Sequence, residues 1–240
     1  MANNYFQFKQ FTVLQDRCAM KVCTDACIFG AAVATKVSRN YIQPLNILDI
    51  GTGTGLLSLI MAQQLDATFD AVEMNDAAYE QATDNFQQSV WKDRLHAHHT
   101  NALQFDPGKK YDCIISNPPF FEGDLRSGDP QKNAAKHDTG LTLEQLLTVV
   151  ESHIAEDGIS AVLLPYYRVD FFTQLALKAG YYLQEQLFIR HSHAHPFFRG
   201  ILFFSKKNII TATGELAIKN ATGNYTPEMI ALLKDYYLYL

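Results

Sequence analysis

The sequence predicts an α/β fold with a mostly parallel, seven-stranded sheet and an antiparallel terminal strand. Three observations carry this expectation. Short apolar runs alternate with helix-length periodic stretches between residues 45 and 179; a loop of three glycines separates the first run from the first such stretch; and the alternation ends in two consecutive strand-like runs. Strands that alternate with helices call for parallel pairing with helices on both faces.

The elements follow in order. Ahead of the sheet, residues 6–16 (FQFKQFTVLQD) read as a hairpin or extended arm, and residues 24–34 (TDACIFGAAVA) as a capped helix. Residues 45–50 (LNILDI) are an apolar strand, and 56–65 have the length and period of a helix. The cycle repeats with strand 68–74, helix 75–89, strands 94–99 and 111–116, helix 141–155, strand 159–164 and helix 169–179. Residues 181–190 and 199–206 close it as a hairpin across a short loop containing Pro196. Near the end, Thr226 as cap, Pro227 at the first position and Glu228 in the first turn predict a helix. Residues 122–138, polar with Gly and Pro, read as a mobile loop.

A chain of 240 residues, 48% apolar and 19% charged, buries one full-sized core, so residues 1–240 are expected to form one domain. Within it, 1–40 supply an N-terminal arm and helix and 41–240 the Rossmann-like core. The opening MANNYFQFKQ lacks a basic-then-apolar layout and no apolar run spans a membrane, so the expected location is the cytoplasm. Four cysteines fit a reducing compartment. Cys23 and Cys27 share a helix face but lack two further ligands at zinc-like spacing, which makes them packing residues rather than a metal site. The net charge of −5 does not advertise a polyanion binder. The first 40 residues, however, carry Lys9, Arg17, Lys21, Lys36 and Arg39 against Asp16 and Asp25, a local surplus that permits RNA.

The glycine loop, Asp49-Ile50-Gly51-Thr52-Gly53-Thr54-Gly55, lies between strand and helix, where backbone approaches a ligand closely because no Cβ intervenes. A dinucleotide fingerprint needs a third glycine where Leu56 stands, so the loop fits NAD poorly. It suits S-adenosylmethionine, with Asp49 as acceptor or counter-charge near the ligand's amino-acid end. Glu73, at the end of the second strand, is placed to take two ribose hydroxyls, and Asn101, after the third, to bond the cofactor's adenine. The neighbouring Met74 and Ala102 are counted to the same site.

Ser116-Asn117-Pro118-Pro119-Phe120-Phe121 follows the fourth strand and shares the ligand-bearing carboxyl edge. A ring-attached amine is a poor nucleophile because its lone pair is delocalised, and two acceptors aimed at its two hydrogens favour localisation of that pair. Asn117 offers a side-chain oxygen and Pro118 a main-chain carbonyl, and consecutive prolines preorganise both. Phe120 and Phe121 supply rings on which an unpaired base can stack.

These motifs resemble the class I methyltransferases that act on exocyclic or amide nitrogen. Within that class the chain is most similar to the bacterial tRNA1(Val) (adenine37-N6)-methyltransferase family. Phe8-Lys9-Gln10-Phe11-Thr12-Val13, Met20-Lys21-Val22-Cys23-Thr24-Asp25, Asn117 to Phe120, the loop ending in Lys136-His137 and the segment Arg190 to Arg199 carry the likeness, which spans essentially the whole chain. The resemblance implies S-adenosylmethionine as methyl donor, a tRNA partner, and an arm with Gln10, Thr24 and Asp25 closing over the cofactor. Lys9, Phe121, Lys136, Arg190 and Arg199 are the expected RNA contacts. Cys23 and Ala26 stand where the family usually has glycine.

His191, His193 and His195 alternate, but near an RNA surface flanked by arginines they are read as contact or solvent-exposed residues rather than metal ligands. His96, His98 and His99 are read as structural. No metal, no membrane and a monomer are expected. Alternative readings are a ribosomal RNA guanine-N2 or protein glutamine N-methyltransferase, and, in a different class, a non-catalytic cofactor- or RNA-binding module.

Overall fold

The computed structural model describes residues 3–18, 20–42, 44–119 and 141–240 of the chain. β1 (Tyr5–Gln7) and β2 (Thr12–Leu14) pair antiparallel as a small separate sheet, and α1 (Thr24–Asn40) follows. The alternating core then runs β3 (Leu45–Ile50), α2 (Leu56–Gln64), β4 (Ala67–Glu73), α3 (Asp76–Gln87), β5 (Leu95–His99), β6 (Tyr111–Ser116), α4 (Leu143–His153), β7 (Ile154–Pro165) and α5 (Val169–Lys178). It ends in β8 (Tyr182–Ser192), β9 (Phe197–Ser205), β10 (Ala212–Lys219) and α6 (Pro227–Leu233). The polar segment 122–138 lies outside the described residues.

The main sheet has the order β10-β8-β9-β7-β6-β3-β4-β5. Strands β7, β6, β3, β4 and β5 are parallel, β9 is antiparallel to both β7 and β8, and β10 is parallel to β8. The sheet therefore carries eight strands rather than seven, and the antiparallel strand sits inside it. Burial explains the placement: β9 is buried continuously from Gly200 to Ser205, as a strand covered on both faces must be, whereas β8 carries Gln184, Glu185 and Gln186 and takes the more peripheral place. β10 extends the sheet beyond it.

Successive strand residues feed two apolar layers. Ile47, Phe69 and Cys113 pack with Ile28, Phe29, Leu59 and Ile60 of α1 and α2. Leu48, Ile114 and Val162 pack with Leu146, Val149 and Phe172 of α4 and α5 on the opposite face. Helix α4 starts on a capping box between Thr142 and Gln145 and passes into β7 with no intervening loop, so the strand begins five residues ahead of its predicted start. Helix α6 is capped by Thr226, whose hydroxyl accepts from Met229 N.

Because β3, β4, β5 and β6 are parallel neighbours, their ends meet at one edge. That edge gathers the glycine loop, Glu73, Asn101 and Asn117, beside the switch point where β3 is flanked by β6 on one side and β4 on the other.

Candidate active site

At this edge lies a cavity of about 580 Å³, within the roughly 300–1,000 Å³ of small-molecule clefts. Its floor is Ile50 to Thr54, one wall is Glu73 to Asn75 with Thr100 to Leu103, and Asn117 and Pro119 close another side. The arm supplies the remaining wall through Cys18 and Met20 to Cys23, with Ala26 behind them.

All three loop glycines have positive φ, at 72°, 58° and 78° for Gly51, Gly53 and Gly55. They differ in purpose. Around Gly51 and Gly53 an added Cβ would meet open space, and both line the cavity, so their bareness leaves room for a ligand. Gly55 does not line it; a Cβ there would stand 2.4 Å from Phe86, so this glycine lets the loop pack on α3. The loop amides are largely engaged by protein: Gly51 and Thr52 donate to Val72 O, and Gly53 donates to Glu73 Oε2 at 3.0 Å.

Asp49, expected near the ligand's amino-acid end, is fully buried beneath the loop and is not among the residues that line the cavity. Its Oδ2 accepts from Thr52 Oγ1 at 2.7 Å and Ser58 Oγ at 2.8 Å, while Oδ1 has no hydrogen-bond partner among the described residues. Burial pushes its carboxyl up to about 6, against the two hydroxyl bonds and with the help of the Glu73 charge.

Glu73 is held by three main-chain donors, Gly53 N on one oxygen and Met74 N and Asn75 N, both at 2.9 Å, on the other. Each oxygen keeps acceptor capacity toward the cavity. Asn101 accepts from Leu103 N at 3.0 Å, capping a short turn that presents Ala102 and Leu103 to the cavity. No hydrogen bond engages its amide N–H₂ among the described residues, and Asn101 itself lines the cavity. Met74 lines the same wall.

Asn117 lines the cavity, with its Nδ2 3.9 Å from Met20 Sδ and its Oδ1 buried without a hydrogen-bond partner among the described residues. The preceding residue anchors it: Ser116 Oγ donates to Ile50 O at 2.9 Å and ties the motif to the root of the glycine loop. Pro118 is buried and Pro119 exposed at the cavity rim. Phe120, Phe121 and Lys136 lie outside the described residues.

Other expected contacts stand elsewhere. Lys9 Nζ donates to Lys234 O, and Gln10 is exposed; neither lines the cavity. Thr24 bonds the Tyr237 hydroxyl, and Asp25 pairs through Oδ2 with Arg199 Nε at 2.7 Å, so both secure α1 instead of touching the cavity. Arg190 pairs with Glu215 at 2.7 Å and lies over the Phe197 ring. Arg190 and Arg199, expected as RNA contacts, are engaged in ion pairs within the protein, with side chains 20% and 26% exposed. His191 stacks on Phe198 with centroids 4.2 Å apart, and His195 bonds Ser192. His98 bonds the buried Asp70, as do Tyr111 and Lys109. Among the described residues no group of three His, Cys, Asp or Glu is placed to hold a metal. Burial pushes the Cys23 and Cys27 thiols up to about 12. Cys23 adopts extended φ −127°, so the turn needs no glycine there.

Three buried amides that sequence reasoning passed over hold the arm in place. Asn85 accepts from Leu14 N and donates to Leu14 O and Thr54 O, joining β2, α3 and the glycine loop. Gln81 accepts from Arg17 N, and Gln15 accepts from Val22 N. The available signal was Gln81 and Asn85 at helical spacing among the apolar residues Ala78, Ala82 and Phe86.

Residues 19–138 match the Methyltransferase small domain family. The chain is 40% identical to a Cytophaga hutchinsonii protein, with all of both chains covered, and 39% identical to one of Dyadobacter fermentans, with 98% of each covered. A Yersinia pestis protein is 37% identical over 97% of this chain and 93% of its own. All three are named tRNA1(Val) (adenine(37)-N6)-methyltransferase. Among solved structures, a predicted O-methyltransferase of Agrobacterium tumefaciens shares the fold with TM-score 0.65 at 14% identity, covering 90% of this chain and 98% of that one. The ribosomal protein L11 methylase of Lactobacillus delbrueckii subsp. bulgaricus does so with TM-score 0.53 at 18% identity, covering 75% and 77%. On this full-length likeness, and with the glycine loop, Glu73 and Asn117-Pro118-Pro119 gathered at one sheet edge, the chain belongs to the tRNA1(Val) (adenine(37)-N6)-methyltransferase family.

Proposed function

We propose that this protein transfers a methyl group from S-adenosylmethionine to N6 of an adenine in tRNA, the target being adenine 37 of tRNA1(Val) as in its relatives' name. The carrying observation is the Asn117 oxygen, a buried acceptor without a partner among the described residues on an amide that lines the cavity. An unmet acceptor is costly unless function uses it.

The residues present fit the cofactor. Open space beside Gly51 and Gly53 admits its amino-acid end, and Lys21 in the cavity wall is a cation for its carboxylate. Glu73 takes the ribose hydroxyls, while the Asn101 amide and the Ala102 backbone flank the adenine. Asp49 acts through the loop by fixing Thr52 and Ser58. When bound, S-adenosylmethionine supplies an electrophilic methyl on its sulfonium. Asn117 Oδ1 and Pro118 O accept the two N–H bonds of the target amine, orient it and stabilise the charge that develops on nitrogen. No residue of high basicity is required, because the nitrogen loses its proton after it becomes tetrahedral. Met20 is half exposed with its sulfur against the Asn117 amide, and it is the side chain that an incoming base displaces.

The protein acts as a cytoplasmic, single-domain monomer on this reading; no helix among the described residues is long and apolar enough to cross a membrane. Tritium transfer from labelled cofactor to tRNA of a strain lacking the gene tests the reaction. Asn117→Ala lowers transfer by about 10²-fold or more, the scale of a lost transition-state hydrogen bond, while calorimetric cofactor affinity stays within about threefold. Full activity in that variant removes the mechanism. Nucleoside analysis of tRNA with and without the gene tests the target, and loss of N2-methylguanosine in place of N6-methyladenosine overturns the base assignment.

A further inference from the structure

We propose that Tyr167 and Phe171, bracketing the guanidinium of Arg168, form a stacking platform for an unpaired base of the substrate RNA beside the target adenosine. The inference rests on the functional reading above and adds to it the surface that holds a second nucleotide.

Position comes first. β6 and β7 are parallel neighbours with Ser116 opposite Val162, so the Asn117-Pro118-Pro119 turn and the turn that leaves β7 at Pro165 emerge side by side at the same edge. Adjacent strands lie about 4.8 Å apart. Tyr166, Tyr167 and Arg168 form that turn, and α5 follows with Val169 and Phe172 turned into the core. Core packing therefore uses Val169 and Phe172, and leaves Tyr167 and Phe171 outside.

Exposure is the second observation. Tyr167 is 68% exposed and Phe171 46%, a large apolar area to leave in water on a turn that any polar residue could make. Spaced four apart, they sit on one side of the helix start, and the Arg168 guanidinium carbon lies 5.6 Å from one ring centroid and 5.8 Å from the other. The base of the platform is firm: Tyr166 packs edge-on against Phe188 at 5.1 Å and against Phe197 at 5.4 Å.

The chemistry selects the occupant. Aromatic rings interleaved with a guanidinium are the surface on which unpaired bases stack, whatever their identity. The segment Tyr166–Phe171 carries one cation, Arg168, and one exposed carboxylate, Asp170, so its charges balance in number, which favours a base over a phosphate as its occupant. With Arg190 and Arg199 engaged in protein ion pairs, stacking also supplies binding that the −5 chain does not draw from net charge.

The test uses full-length protein and an anticodon stem-loop with 2-aminopurine placed in turn at each loop position outside the target. Wild-type protein quenches the probe at one flanking position, and Tyr167→Ala abolishes that quench. Steady-state methylation of tRNA by Tyr167→Ala has a KM raised roughly 5- to 100-fold, the range of one lost base–ring stack. Cofactor KM and the salt dependence of RNA binding are unchanged, and Tyr167→Phe restores the KM. An unchanged tRNA KM in an active Tyr167→Ala protein overturns the platform, as does a shallower salt dependence, which would mean a phosphate contact. A dimer seen by sedimentation in wild type and lost in Tyr167→Ala would assign the rings to a second copy instead. If wild-type protein methylates no tRNA, the functional reading fails, and the platform with it.

Discussion

Asp49 illustrates how far one side chain can act from the ligand it serves. Its carboxylate is fully buried, satisfied on one oxygen and without a partner among the described residues on the other, and burial raises its pKa from 3.8 to about 6. With the folded-state value above the unfolded one, the native protein holds an extra proton between those limits. This contribution to stability is full below about pH 4 and is lost as pH rises through about 6. In Asp49→Asn the Thr52 and Ser58 bonds find the amide oxygen and the slope disappears. Urea unfolding of both proteins from pH 4 to 8 is expected to show the variant gaining on wild type as pH rises; a gain toward low pH would contradict the assignment. Ion pairs of single residues were the features least legible in the sequence. The partners of Arg190 and Arg199, Glu215 and Asp25, lie 25 and 174 positions away, and an ion pair of that separation leaves no local pattern. Glu73 and Asn117, by contrast, were legible because strand ends on a parallel sheet have one place to go.

At the scale of elements, the alternation of period 2 and period 3.6 placed β3 through α5 and the β8–β9 hairpin within a few residues, since burial enforces that pattern. β10 was not legible. Ala212 to Lys219 has Gly214 within it and is buried only at Leu216, Ala217 and Ile218, so its pairing with β8 depends on an available edge rather than on its own apolar content. The arm posed a similar difficulty, because the buried Phe8, Phe11 and Val13 that dock it are joined by three polar amides, of which Gln81 and Asn85 lie far off in sequence. Asn85→Ala strands Leu14 N, Leu14 O and Thr54 O together. Each buried group left unpaired costs about 1–3 kcal/mol, so a net loss of about 2–4 kcal/mol is expected. For a chain of this size that corresponds to a Tm drop of roughly 5–15 °C. Cofactor KM is expected to rise as well, because the arm that walls the cavity loses its clasp on the glycine loop. Calorimetry and methyl-transfer kinetics check the two effects separately, and a loss of stability with cofactor KM unchanged would separate the clasp from the cavity.

Across the whole molecule, the first and last described segments are joined. Phe8 forms a backbone bridge with Tyr237, Lys9 N donates to Tyr236 O, and the Tyr237 ring packs against Phe6 and Phe8 at 5.7 and 5.8 Å. Tyr236 closes the contact to α2 through Gln64. Tyr237→Ala is expected to cost about 2–4 kcal/mol, as other large-to-small changes at packed aromatic sites do. Amide exchange should quicken at Phe8 and Lys9 while the strands β3, β4 and β6 keep their protection; uniform loosening would mean that the join is not a separate cooperative unit.

The same join sets an order of events during synthesis. The residues that wall the cavity belong to an arm made first, yet the surface against which its aromatic end rests includes Tyr236 and Tyr237, translated more than two hundred codons later. A nascent chain still threaded through the ribosome at residue 230 can pair its central strands but has no seat for Phe8. The seat of Phe8 and Lys9 is thus completed only after those tyrosines emerge, whereas Gln81 and Asn85 are already present to hold the part of the arm that walls the cavity.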